Sequence, residues 1–391
     1  MRRWIAHWKL SKGQLTAVHV GDRERPGVVV THTAHSHDRL PSLMFTAELP
    51  ADPAAQTMPG PGASERATAA TGGLEAERMG TMQPDVVVVG QVARDLVLVV
   101  DELPGSGGSV DVRQRRELLG GKGANIAVSL AQLGVPVALV GVVGDNGVGG
   151  DLLAQCRYDG IDVTAVVQRP ESESALMVDV VTPDGQFHYF ESVPRDALLT
   201  PSDLQRSADL LRSVSTVILQ LQQPPEAVLA ALDLVNPDCR IVLDGVPDPA
   251  CRDQILEPAS VLRADAHEAE LLAGHRIGDP DMARHLARQL LKKGPNLVAL
   301  AVGTEGNLLA WPDGDLMLPL LDAAPVVDTT GSGDAFVAGL TWSLLRGDDP
   351  TRAGRSATAA AGLTVSHPGG RPNLTSSAID RLATRLVHDP N

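Results

Sequence analysis

Cysteine is scarce: Cys156, Cys239 and Cys251 are the three in 391 residues, an odd number without metal-ligand spacing. A disulfide framework is therefore not expected, and the thiols point to a reducing compartment, the cytoplasm by default. No stretch approaches the roughly 20 apolar residues that span a bilayer. The basic start MRRWIAHWKLSKGQ has no apolar run behind it, so a secretory leader is not expected either. Positive charge is in deficit. With 33 Lys and Arg against 48 Asp and Glu, the net charge is -15, which argues against nucleic acid or an anionic membrane as a general partner. An anionic substrate would need a locally arranged site. No Lys is followed by Ser or Thr, so the phosphate loop G-x-x-x-x-G-K-[ST] is missing. The turn after the first clear strand reads GQVARD, without G-x-G-x-x-G, which leaves a dinucleotide oxidoreductase little support. A nucleotide handled here is held some other way.

What is present is a large core: 43% of the residues are hydrophobic, enough for one or two domains. Residues 1 to about 82 contribute little to it. A short strand is conceivable at Val28–Val30, but Pro, Ala, Gly and Thr then dominate without periodicity. The segment reads as a disordered extension, or as sequence upstream of a true start near Met79 or Met82. From 83 to 391 the pattern is ordered. DVVVVG (85–90) is a β-branched run buried on both faces, and strands are also expected at Leu96–Val100, Val137–Val143, Val217–Leu219, Ile241–Leu243, Val261–Leu262 and Leu297–Val302. Helices are expected at 118–134 and near 201–213, 225–235, 266–273, 280–293, 334–346, 351–365 and 375–387. Such alternation predicts an α/β fold, a doubly wound and mostly parallel sheet with helices on both faces. Two β-rich runs at 174–191 around Pro183–Asp184–Gly185 read as a hairpin, forming with strands near 96–116 a small separate sheet, a lid.

The chemistry concentrates in Val326–Gly339, VVDTTGSGDAFVAG. Val326 and Val327 look like the end of a buried strand, Thr330–Gly333 like a tight turn, and Ala335 onward like a helix. The N–H groups of Gly331, Ser332 and Gly333 at such a helix start suit a phosphate or a developing anion. Asp334 there is open to two readings. It stabilises the helix dipole, or it takes the proton of a hydroxyl attacking a phosphoryl group.

GGKGAN at Gly120–Asn125 and DTTGSGDAF at Asp328–Phe336 together resemble the two signatures of the ribokinase-type (PfkB) carbohydrate kinase family, in the right order, over about residue 84 to the C-terminus. The resemblance implies an ATP-dependent sugar kinase. On it, Asp334 is the catalytic base and Gly331, Ser332 and Gly333 the anion hole. Asp95, Gly121, Lys122 and Asn125 bind the sugar. Gly303, Thr304 and Gly306 meet ATP. Asp265 and Glu268 stand at the family's Asn-x-x-Glu, with Asp for Asn, and help hold Mg²⁺; by themselves they read as a helix-start charge cluster. Asp328, the Thr330 carbonyl, Ser366 and Gly370 correspond to a monovalent-cation site (K⁺) of some members. Lid sheets of the family often pair across a homodimer. His188 and His267 have no role implied.

Two departures bear on the acceptor. Ala93 and Gln222 stand where ribokinases usually carry Asn and Glu, which weakens the case for ribose. A nucleoside or sugar-phosphate kinase of the same fold stays open, the latter wanting basic residues such as Arg113, Arg115 and Arg116. So does a catalytically silent sugar-binding protein, although an intact Asp334 argues against it.

Overall fold

A computed structural model of the chain describes residues 6–11, 14–20, 83–182, 187–321, 328–367 and 373–388. It divides into two units, 1–77 and 78–391. In the first, β1 (Ala6–Ser11) and β2 (Gln14–Val20) pair antiparallel. Thr16, Val18 and Val20 favour an extended backbone there. The strand conceived at Val28–Val30 lies outside the described residues.

In the second unit, β3 (Val86–Val89), β4 (Ala93–Val100) and β5 (Val112–Gly120) lead into α1 (Lys122–Gln132). Next come β6 (Val137–Val140), β7 (Val142–Gly144), α2 (Gly147–Tyr158), β8 (Val167–Arg169), β9 (Ala175–Val181) and β10 (Phe187–Ser192). Alternation resumes with α3 (Pro201–Arg206), α4 (Ala208–Ser213), β11 (Thr216–Gln220), α5 (Pro225–Leu234) and β12 (Arg240–Asp244). It continues through α6 (Arg252–Leu256), β13 (Val261–Ala264), α7 (Ala266–Ala273), α8 (Pro280–Leu291) and β14 (Leu297–Ala301). A hairpin of β15 (Asn307–Trp311) and β16 (Gly314–Leu318) precedes α9 (Ser332–Leu345), α10 (Pro350–Thr364) and α11 (Ser376–His388).

The main sheet has eight strands in the order β16-β15-β14-β13-β12-β11-β3-β6. Its pairs from β6 to β14 are parallel, and β15 and β16 extend it antiparallel. Alternation along β3 explains the two layers. Val86 and Val88 join the core cluster under α1, α2, α9 and α10, whereas Val87 and Val89 join the one under α3–α5, α7 and α8. Both faces are therefore apolar, as parallel strands require. The lid is a second sheet, β10-β9-β4-β5.

Three expectations are corrected. The helix expected over 201–213 breaks at Ser207 into α3 and α4, because the Ser207 N–H turns back onto the Leu204 carbonyl at 2.9 Å. The single strand expected over Val137–Val143 is interrupted at Gly141, after which β7 leaves the main sheet to pair with β8. The helix expected over 118–134 starts only at Lys122, because Leu118, Leu119 and Gly120 pair with β4 as the end of β5, and the β15–β16 hairpin is an element the sequence reading did not include. The turn of the β9–β10 hairpin, Pro183–Asp184–Gly185, and the expected strand end at Val326–Val327 lie outside the described residues. Among the described residues no helix is long and apolar enough to cross a membrane.

Candidate active site

The parallel strands end on one side of the sheet, and the chemistry-bearing residues lie just past those ends, where ligands bind in doubly wound folds. α9 opens there. Its N-cap, Gly331, has φ +71°, a left-handed conformation that glycine adopts without strain, and no side chain caps the helix. The Ser332 N–H bonds the Thr329 carbonyl at 3.3 Å and the Ala335 N–H closes on Gly331 at 2.9 Å. The N–H groups of Gly333 and Asp334 lie between them in the first turn, where no intrahelical acceptor exists. Ser332 and Gly333 are thus helical, not part of the preceding turn as expected, because Gly331 completes the turn by itself.

Asp334, three residues into α9, is 5% exposed. Its Oδ2 accepts a hydrogen bond from Asn125 Nδ2 at 2.9 Å, joining the two motifs across 209 residues. α1 supplies Asn125, and its N-cap Gly121 has φ +86°. Burial and the negative charge of Asp244 push the Asp334 pKa up to about 6, against the pull of Asn125, Lys122 and Arg263.

A network of charges backs this pair. Arg263, at the end of β13, donates from Nη1 to Asp244 Oδ1 at 3.0 Å and lies 3.9 Å from Glu268 Oε2. Its guanidinium also occupies the space beside Gly333, where a Cβ would overlap it. Lys122 Nζ pairs with Glu268 Oε1 at 2.9 Å. Burial works against the ammonium, but Asp244, Glu268 and Asp334 outweigh it and raise its pKa. Lys122 therefore reaches toward α7, a contact the sequence reading did not include. Asp265 and Glu268 form a reciprocal capping box at the start of α7, each carboxylate accepting the other's N–H at 2.8 Å. The helix-start reading of this pair holds, and Glu268 still turns an oxygen to the site through Lys122.

The lid contributes Asp95, from β4. Its carboxyl lies over Gly120, where a Cβ would collide with it. Burial and the charges of Asp179, Asp334 and Asp328 raise its pKa to about 7. Buried polar atoms without a partner gather here: Asp95 Oδ1, Asn125 Oδ1, Asp179 Oδ1, Gln220 Nε2 and Asp244 Oδ2. Each costs roughly 1–3 kcal/mol unless satisfied, so the constellation fits a polar ligand that completes it.

The remaining expected residues are placed as follows. Gly303 and Thr304 are exposed in a short 3₁₀ turn beyond β14, and buried Gly306 closes that turn with φ +114°. The Asp328 N–H donates to the Val365 carbonyl at 3.1 Å and Asp328 Oδ1 accepts from the Thr330 N–H, which brings Asp328, Thr330 and Ser366 into neighbouring loops. Gly370 lies outside the described residues. Ala93 is buried on an apolar lid floor with Ala175 and Met177, and Gln222 is exposed. Arg113 and Arg115 are exposed and paired with Asp101 and Glu117; Arg116 is exposed. His267 is exposed and His188 half-buried. Sequence reasoning missed Arg263, Asp244, Gln220 and Asp179. Gln220 and Asp244 each close an apolar strand with a polar residue, and Arg263 interrupts the apolar β13 one residue before its end, which was the available signal.

The class this fold and site define is the ribokinase-like one, a doubly wound sheet with an uncapped helix N-terminus, a buried carboxylate and a β lid. A ribokinase from Arabidopsis thaliana, solved with ribose and ATP, superposes with a TM-score of 0.66 at 25% identity, covering 77% of this chain and 99% of that one. Mouse ribokinase is 30% identical over 263 residues, 66% of this chain and 81% of its own length. A deoxyribokinase of Salmonella typhi is 27% identical over 297 residues, 75% and 96% respectively. Residues 83–376 match the model of the pfkB family carbohydrate kinases, and the chain belongs to that family.

Proposed function

We infer that this protein transfers the γ-phosphoryl group of ATP to a hydroxyl of a sugar. The observation that carries the reading is the Asn125–Asp334 hydrogen bond at the open N-terminus of α9. It sets a proton acceptor beside an anion cradle.

An acceptor hydroxyl placed against Asp334 gives up its proton to the carboxylate as the oxygen attacks. Asn125 fixes the orientation of that carboxylate. The N–H groups at the start of α9 (331–334), of which those of Gly333 and Asp334 lack an intrahelical acceptor, and the positive end of α9 balance charge on the transferring group, and Arg263 adds a cation behind Gly333. Gly303, Thr304 and Gly306, in the turn beyond β14, would meet the nucleotide. Asp265 and Glu268 would hold Mg²⁺, whose chemistry is to neutralise phosphate charge. Such an ion keeps several waters and needs only one or two carboxylates, which suits a pair whose oxygens already serve backbone N–H groups and Lys122. Among the described residues no cluster of three acidic, His or Cys groups forms a closed metal cage. Asp328, the Thr330 carbonyl, Ser366 and Gly370 would take K⁺.

The protein would act in the cytoplasm, which suits the buried thiols of Cys156 and Cys239, and would pair through its lid as a homodimer. A nucleoside acceptor remains a second reading because the aromatic ring of Tyr189 stands on the lid strand next to Asp179. ADP release measured with ATP and a panel of pentoses, hexoses and nucleosides tests the reading. Turnover with a sugar supports it, and no turnover with any acceptor rejects it.

A further inference from the structure

The lid face above Asp334 carries a second carboxylate that the reaction does not use. β4 and β9 run parallel with Asp95 opposite Met177 and Val97 opposite Asp179. Residues two apart share a face, so Asp95 and Asp179 lie diagonally on the same side of the lid. That side is the covered one: alternate residues of β4 and β9, including Ala93, Asp95, Ala175, Met177 and Asp179, are buried. Asp179 is 5% exposed, and its Oδ1 has no hydrogen-bond partner. Asp95 is 4% exposed with the same deficit. Tyr189 pairs with Asp179 across β9 and β10.

Two buried carboxylates with unpaired oxygens destabilise a fold unless something satisfies them. Among the described residues no protein cation does so. The charges that act on Asp95 are Asp179, Asp334 and Asp328, and the one acting on Asp179 is Asp328, carboxylates throughout. The lid arginines sit elsewhere, Arg94 and Arg115 on Glu117 and Arg113 on Asp101. A ligand that brings hydroxyl donors would complete both groups. A ligand bearing phosphate or carboxylate would meet only like charge.

We propose that Asp179 is a specificity-determining residue: with Asp95 it forms a clasp that accepts hydrogen bonds from two hydroxyls of a neutral polyhydroxylated acceptor and excludes anionic ones. The proposal rests on the sugar-kinase reading for its site and adds the class of acceptor. It sets aside the sugar-phosphate alternative.

The test uses the full chain, with D-ribose, 2-deoxy-D-ribose, D-fructose and inosine as neutral probes and D-ribose 5-phosphate and D-gluconate as anionic ones. Calorimetric titration gives affinity, and ADP release gives KM and kcat. The wild type is expected to bind at least one neutral probe and to bind the anionic ones at least tenfold more weakly. Asp179→Ala is expected to weaken the neutral probe at least fivefold, in KM or Kd, with kcat within threefold and the KM for ATP unchanged. Asp179→Asn, whose amide can donate, is expected to bind the anionic probes at least fivefold more tightly than the wild type does. Both variants are expected to melt at or above the wild-type temperature, since an unsatisfied buried carboxylate is removed; a merely structural Asp179 would lower it. Smaller affinity changes, a lower melting temperature in both variants, preference for an anionic probe, or no binding of any probe would each overturn the clasp. Neutral probes that bind while none of them is phosphorylated would reject the kinase reading instead, and the affinity ratios would still decide the clasp.

Discussion

In the proposed reaction Asp334 is the base, and how it is held sets the pH at which it ionises. Burial and Asp244 raise its pKa to about 6, and Asn125, Lys122 and Arg263 keep it from rising further. A base must be ionised, so kcat/KM is expected to climb as pH rises through about 6 and to level off above it. Asn125→Ala removes a donor that favours the ionised form. The midpoint of the pH profile should then move upward, and kcat/KM near neutral pH should fall by roughly tenfold or more, in line with a lost hydrogen bond to a charged group. A midpoint that stays put or drops would show that Asn125 does not act on Asp334. Asp334 and Asn125 were legible in the sequence because each sits in a short motif beside glycines, whereas Asp95 was named only through the family resemblance. Asp179 was not. In SALMVDVV the alternation reads as a strand with one polar side, and nothing local says that this side is covered by the rest of the protein.

The elements were legible where both faces of a strand are buried, since β-branched runs such as Val86–Val89 leave little else for the chain to do. The lid was legible from its turn, Pro183–Asp184–Gly185. The same tripeptide recurs at Pro312–Asp313–Gly314 between β15 and β16, and that hairpin could have been found on the same argument. Arg263 was hidden because its partners, Asp244 and Gly333, come from other elements. Their packing gives an element-scale test. Gly333→Ala would drive a Cβ into the Arg263 guanidinium that Asp244 holds at 3.0 Å. Overpacking of this kind costs about 1–3 kcal/mol, and here it would also shift the start of α9. The expected result is a kcat lower by at least about tenfold with a modest fall in melting temperature, read by steady-state kinetics and thermal denaturation. Wild-type kcat would mean that the first turn of α9 is not the anion cradle.

For the molecule as a whole, the family match begins at residue 83, and 78–391 forms a unit of its own. A chain shortened to start at Met82 is therefore expected to keep most of its turnover. It should also sediment as a dimer at micromolar concentration if the open edges of β5 and β10 pair across two lids. Loss of turnover would give residues 1–81 a role in the site, and a clean monomer would remove the lid pairing. The central claim is that this chain transfers a phosphoryl group with Asp334 as base. Asp334→Asn keeps the shape of the side chain and removes the proton acceptor. Its phosphorylation of the preferred acceptor, measured beside calorimetric ATP binding in both proteins, tests that claim most directly. The account predicts a kcat lower by at least about two orders of magnitude, with ATP affinity unchanged or slightly tighter. Turnover within a few-fold of the wild type would contradict it and leave Asp334 as a charge at a helix start.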